Sequence, residues 1–204
     1  MSYICRKYLK MSQITVINAS EKHLEFAQQI CNEMEISSLK RGTGIAKRSP
    51  AYIQEKILEG KAVIAFDEKN VWAGFCYIES WQSGEYVANS GLIVSPEFRN
   101  SGVAKMIKKE IFELSKSIYP NAKIFGLTTG LAVMKINSEL GYEPVTYSEL
   151  TNDEQFWNGC KSCVNYDILT SKNFKNCLCT SMMYDPKLKI NETINSDFIY
   201  ERLK

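Results

Sequence analysis

One histidine, His23, stands in the whole sequence. It falls near the start of a predicted helix, at an exposed position, and is a poor candidate for acid–base work. An excess of one charge is also missing: 25 basic residues face 23 acidic ones, for a net charge of +2. That balance leaves no electrostatic footprint for nucleic acid or an anionic membrane surface. No apolar run approaches the ~18 residues of a membrane span. The opening MSYICRKYLK lacks the apolar core of a signal peptide, so residues 1–13 read as a loose leader with Met11 as an alternative start. Internal repeats and low-complexity tracts are absent. What is present in number is cysteine: seven, an odd count without a secretory signal, which fits a reducing, cytoplasmic setting rather than a disulfide framework. At 45% hydrophobic and 24% charged, 204 residues suit one globular domain with an appendage.

Apolar periodicity divides the chain. ITVIN (14–18) is a β-branched run followed by Ala19–Ser20, which can cap a helix. From Glu21, the positions Leu24, Ala27, Cys31 and Met34 recur at helical spacing, and this helix is expected to dissolve near Ser37–Ser38. The Gly-rich basic stretch LKRGTGIAKRSP follows, and Pro50 opens a second helix over 50–59, stopped by Gly60. Strands are predicted at 62–66, 71–80 and 85–95. Asn89, Ser90 and Gly91 interrupt the third, where a glycine marks a bulge or a close backbone approach. Val103, Ile107, Ile111, Leu114 and Ile118 share one face of a helix over 102–118. A strand at 123–128, a helix at 131–140 capped by Gly141, and a strand at 142–147 complete the order β-α-α-β-β-β-α-β-α-β. This is an α/β chain of the α+β kind, a mixed sheet with helices on both faces. Residues 14–150 form that domain. Residues 151–204 form a Cys-rich extension packing on or completing it, in which 177–184 could add a strand and the tail from Lys187 is loosely ordered.

The informative segment is IVSPEFRNSGVAKMI, residues 93–107. A strand ends, Arg99 turns the chain, and Gly102 and Ala104 flank the first turn of a long helix. Small residues there leave backbone N–H groups uncovered, and the helix N-terminus adds partial positive charge, so the segment suits a pyrophosphate. It is neither G-x-G-x-x-G nor G-x-x-x-x-G-K-[ST], which disfavours dinucleotide and P-loop readings.

The run Arg99-Asn100-Ser101-Gly102-Val103-Ala104 resembles the pyrophosphate loop [QR]-x-x-G-x-[GA] of the GNAT superfamily of acyl-CoA-dependent N-acyltransferases. NSELGYEP (137–144) is similar to that family's second CoA-binding segment, and the resemblance covers roughly residues 14–147 in the same element order. It implies the GNAT acyl-CoA N-acyltransferase fold, with acetyl-CoA or another acyl-CoA as cosubstrate. The pantetheine arm would enter a V-shaped gap between two parallel strands and pair with the backbone of Ile93 and Val94. Amides over Asn100, Ser101, Gly102, Val103, Ala104 and Lys105 would hold the pyrophosphate, with Arg99 and Asn137 in the same cofactor set. A neutral amine then attacks the thioester directly, and the departing thiolate benefits from a proton donor.

Many members carry a tyrosine four residues before the glycine of the second segment as that donor; Asn137 stands there in this chain. Tyr142 and Tyr86 are the candidate substitutes, with a packed tyrosine as the other reading of each. Glu79 and Glu85, at the ends of the central hairpin, are candidate bases through a water or else solvated strand-end charges. Arg41, Lys47 and Arg48 lie in the connection between the first two helices, which overhangs the acceptor site in the family, and could hold an acceptor carboxylate. The whole chain also resembles, more weakly, GNAT proteins associated with bacterial arginine biosynthesis. That implies acetyl or succinyl transfer to the α-amine of an amino acid such as glutamate. Acylation of a protein terminus or lysine, and a non-catalytic CoA-binding regulatory module, remain alternatives. The expected partners are a small-molecule amine, no nucleic acid and no membrane, with a homodimer compatible with the reading. Finally, Cys160, Cys163, Cys177 and Cys179 form C-x2-C-x13-C-x-C, a spacing for a structural zinc site or for thiols packed inward from a strand.

Overall fold

The computed structural model describes residues 13–42 and 47–188, apart from the side chain of Arg41. Residues 1–12, the connection 43–46 and the tail beyond 188 lie outside the described residues. Strand β1 (Thr15–Asn18) leads through a 3-10 turn into helix α1 (Ala27–Arg41). The helix runs past Ser37–Ser38, where the sequence predicts its end. Both hydroxyls bond back within the helix, Ser37 Oγ to Glu33 Oε1 at 2.6 Å and Ser38 Oγ to the Glu35 carbonyl at 2.8 Å. Both hydroxyls are thus satisfied inside the helix, and neither has to draw the chain into a turn to find a partner. Helix α2 (Pro50–Leu58) starts on Ser49, whose side chain accepts from the Tyr52 amide.

Strands β2 (Ala62–Phe66), β3 (Trp72–Trp81) and β4 (Tyr86–Val94) form an antiparallel meander with β1 on its outer side. Helix α3 (Val103–Ile118), strand β5 (Lys123–Thr128) and helix α4 (Leu131–Glu139) follow. The strand predicted over 142–147 is only β6 (Glu143–Pro144). Proline removes a ladder donor there, and Glu149 accepts from the Thr146 amide at 2.8 Å, turning the chain away. Helices α5 (Glu154–Asn158) and α6 (Tyr166–Ser171) precede β7 (Thr180–Tyr184). The sheet order is β1-β2-β3-β4-β5-β7-β6, so β7 enters between β5 and β6 rather than at an edge.

Two cores sandwich this sheet. Val103, Ile107, Ile111 and Phe112 of α3 pack on Val63, Cys76, Ile78 and Val87 on one face. On the other, Ala27, Ile30 and Met34 of α1 and Ile53 and Ile57 of α2 cover Ile64, Phe75, Tyr77 and Ile93. Beside that second core, Phe156 and Trp157 of α5 join Trp81, Ala88 and Phe125. No helix among the described residues is long and apolar enough to cross a membrane.

Candidate functional site

Strands β4 and β5 run parallel but pair only over three residues, Tyr86 with Lys123, Val87 with Ile124 and Ala88 with Phe125. Beyond Ala88 they part. Among the described residues, β4 has no strand partner on its β5 side from Asn89 to Val94, while β5 continues against β7 alone. A wedge therefore opens with its apex at Ala88 and Phe125. A bulge on the β3 side helps: the register shifts between Phe75 and Tyr77. Gly91 carries it at φ +65°, and a Cβ there would collide with the Tyr77 ring and the Met34 methyl, so only glycine fits.

Past the mouth of the wedge, Arg99 to Ala104 form the turn into α3. Asn100 (φ 62°) and Gly102 (φ 85°) are both left-handed, which presents successive amides outward at the positive end of a 16-residue helix. A Cβ on Gly102 would meet nothing within 4 Å, so the space in front of the loop is open. Arg99, though exposed, is turned toward α1. Its guanidinium donates to Glu33 Oε1 (2.5 Å), Ser37 Oγ (2.7 Å) and the Val94 carbonyl (3.1 Å), clamping the loop to α1. Lys105 pairs with Glu139 at 2.6 Å, joining α3 to α4 at the surface.

The α1/α2 face of the sheet carries the charged cluster. Arg48 Nε donates to Tyr77 Oη at 2.6 Å and Nη2 to Glu79 Oε1 at 3.2 Å; Tyr52 Oη donates to the same Glu79 oxygen at 2.5 Å. Burial first, and then the bond to Glu79, push the Tyr52 hydroxyl well above its ordinary range, so it remains a donor. Glu79 lies opposite Ala88 across the β3–β4 ladder, beside the wedge apex. Lys47 instead turns to Glu35 at the surface, 3.1 Å away. The Arg41 side chain is outside the described residues.

The opposite face of the apex is also polar. Asn89 Oδ1 accepts from Tyr142 Oη at 3.0 Å and Lys108 Nζ at 3.3 Å, while its Nδ2 donates to Ser115 Oγ at 2.7 Å. Tyr142 is fully buried and committed to this network, with burial holding its hydroxyl far above its usual pKa. Tyr86 sits at the closed end of the wedge, edge-on to Phe125, and Glu85 is exposed. Asn137 is 1% exposed on α4; Nδ2 reaches Met182 Sδ at 3.9 Å and Oδ1 has no partner among the described residues. Sequence reasoning missed Asn89 as a side chain and Lys108 altogether. The signal was Lys108, Phe112 and Ser115 at helical spacing beside the Ile107–Ile111 stripe, which widens the buried face of α3.

Cys160, Cys163, Cys177 and Cys179 line one small cavity of about 30 Å³ with Leu127, Tyr147 and Leu169. Burial raises Cys160 to about 11 and Cys179 to about 12, keeping both as thiols. The thiols face a common space without closing on a common point. Among the described residues no three His, Cys, Asp or Glu side chains form a group that could hold a metal ion. The geometry thus does not support the zinc site that the spacing implies, because thiolate ligands must meet within about 2.3 Å of one centre.

No protein-family model matches the chain, and no curated protein matches it. Solved structures do. An N-acetylglutamate synthase from Neisseria gonorrhoeae, complexed with coenzyme A and N-acetyl-glutamate, matches with a TM-score of 0.59 at 15% identity over 86% of this chain. The match takes in only 36% of that synthase, so this chain spans about a third of its length. A GNAT superfamily phosphinothricin acetyltransferase from Sinorhizobium meliloti, in complex with acetyl-CoA, matches at 0.57 with 16% identity over 84% of this chain and 88% of that one. The ribosomal-protein-S18-alanine N-acetyltransferase from Escherichia coli gives 0.52 with 10% identity over 85% and 94%. At these identities the likeness is one of fold: the chain has the fold of the GNAT acetyltransferases.

Proposed function

We propose that this chain is an acyl-CoA-dependent N-acyltransferase that moves an acetyl or succinyl group onto the primary amine of a small acceptor, an amino acid such as glutamate being the chosen class. The observation that carries the reading is the alignment of the β4–β5 wedge with the outward amides of the Asn100–Ala104 turn. An extended pantetheine arm fits the unpaired edge of β4, and a pyrophosphate fits the N-terminus of α3. Bound there, acyl-CoA supplies the thioester. The chain's own residues would orient the acceptor amine from the α1/α2 face, where Glu79 can take a proton through water and Arg48 can receive a carboxylate. Holding both reactants at the apex supplies much of the acceleration by itself.

The test is a thiol-release screen of acetyl-CoA and succinyl-CoA against amino acids, glutamate and ornithine included. Turnover restricted to an amino acid supports the reading. CoA binding without turnover on any amine would favour a regulatory module, and turnover on a peptide terminus alone would favour a protein acetyltransferase.

A further inference from the structure

Lys108 is a cation in an apolar core. It is 2% exposed, and among the described residues no carboxylate pairs with it. The groups that face it are Cys76 from β3, Asn89 from β4 and Tyr142 from the segment after α4, with Ser115 of α3 behind Asn89. All of these are neutral when protonated. Its Nζ lies 5.2 Å from the Tyr142 ring centroid, and that ring face offers only partial compensation. An uncompensated buried charge is costly, and a methionine would fill the same volume without that cost. The placement is specific: Asn89, which Lys108 holds, is the first β4 residue beyond the pairing with β5. The charge therefore stands directly behind the wedge apex.

Resting on the acyl-transfer reading, the chemistry at that apex generates negative charge. As the amine's N–C bond forms and the C–S bond breaks, the electron pair goes to sulfur and the amine's proton leaves to water. Asn137, in the position of the tyrosine in the family that the sequence resembles, has no acidic proton to give. We propose that Lys108 is the buried cation that stabilises the departing sulfur, acting through its field and through Asn89 as a positioning residue rather than by touching the substrate. Burial lowers Lys108 to about 8, against the nearby Cys76, so the cation is present through the neutral range.

CoA itself is the probe, since the ultraviolet absorbance of the thiolate reads the pKa of the bound thiol. In the wild-type chain that pKa is expected at least about one pH unit below that of free CoA, a tenfold gain in thiolate. Lys108→Met should return it to the free value with CoA affinity kept, and Lys108→Arg should retain most of the shift. In turnover, Lys108→Met should lower kcat about tenfold or more at unchanged acyl-CoA KM. Equal bound-thiol values in wild type and folded Lys108→Met would overturn the proposal. If that variant does not fold, a wild-type value at or above that of free CoA overturns it. Failure of the wild-type chain to bind CoA would instead remove the acyl-transfer reading, and this proposal with it.

Discussion

Arg48 and Glu79 meet at 3.2 Å beside the wedge apex, and the oxygen that receives Arg48 also receives the Tyr52 hydroxyl. The pair, both mostly buried, holds a positive and a negative group side by side on the face that the proposed acyl transfer leaves for an acceptor. An α-amino acid carries the complementary pair. Under the proposed function, its carboxylate would compete for the guanidinium and its ammonium for the carboxylate.

Replacing Arg48 with alanine should therefore raise the acceptor KM about ten- to a hundredfold, the cost of a lost charge-assisted hydrogen bond. Acyl-CoA KM should stay constant in the same steady-state measurements. A parallel rise in both would indicate damage to the fold around Tyr77, which a melting curve would register.

Gly102 separates backbone demand from ligand demand. Gly102→Ala keeps the open space but forces a left-handed alanine, costing ~1 kcal/mol of stability. Gly102→Glu adds a carboxylate in front of the amides, and calorimetry should find no measurable CoA binding. Unchanged CoA affinity in Gly102→Glu would take away the main support for a pyrophosphate site.

Lys108 makes stability depend on pH in an unusual direction. Its folded pKa of about 8 lies below the ordinary 10.5, so between those values the unfolded chain binds more protons. Stability attributable to this group thus rises as pH climbs from about 8 to 10.5, and the full penalty is felt below 8. Lys108→Met should be more stable than wild type at pH 7, by an amount on the order of 3 kcal/mol. That advantage should shrink in denaturant titrations as pH approaches 10.5. A constant difference across the range would contradict the lowered pKa.

Strand β7 is internal to the sheet, so removing residues 151–186 strips β5 of its antiparallel partner and leaves β6 detached. The truncated chain should aggregate, because an unpaired hydrophobic strand edge templates association. Light scattering of the purified fragment would check this; a monodisperse, folded fragment would mean that the meander and α3 suffice.

Much of this arrangement was readable beforehand, and the exceptions have physical causes. The meander, α3 and the Arg99–Ala104 turn follow from local periodicity and glycine placement, which neighbouring residues determine. Ser37 and Ser38 misled because hydroxyls favour helix ends, yet here they bond to Glu33 and to the Glu35 carbonyl. Tyr142 read as a candidate acid because its partner, Asn89, is 53 residues away in sequence. Lys108 escaped notice because a lysine counts as polar in any apolar pattern, and only Phe112 and Ser115 at its helical spacing hint that the buried face of α3 is wider. The four cysteines converge on one cavity as their spacing allows, but spacing alone does not set the distance between sulfurs.

The insertion of β7 between β5 and β6 also has a consequence for synthesis. A ribosome delivers the chain from its N-terminus, so the meander, α3 and the Asn100–Ala104 turn emerge well before Thr180–Tyr184. Until that late strand appears, the strand pairing of β5 among the described residues is limited to its three-residue ladder with β4. The β5 side of the wedge is thus completed only once Thr180–Tyr184 has emerged, by pairings such as Ile124 with Tyr184 that span 60 residues. Such long-range closure is slow and leaves an open edge meanwhile. A nascent chain arrested before residue 180 would present the Asn100–Ala104 turn but not the finished wedge, making this a fold whose central cleft matures last.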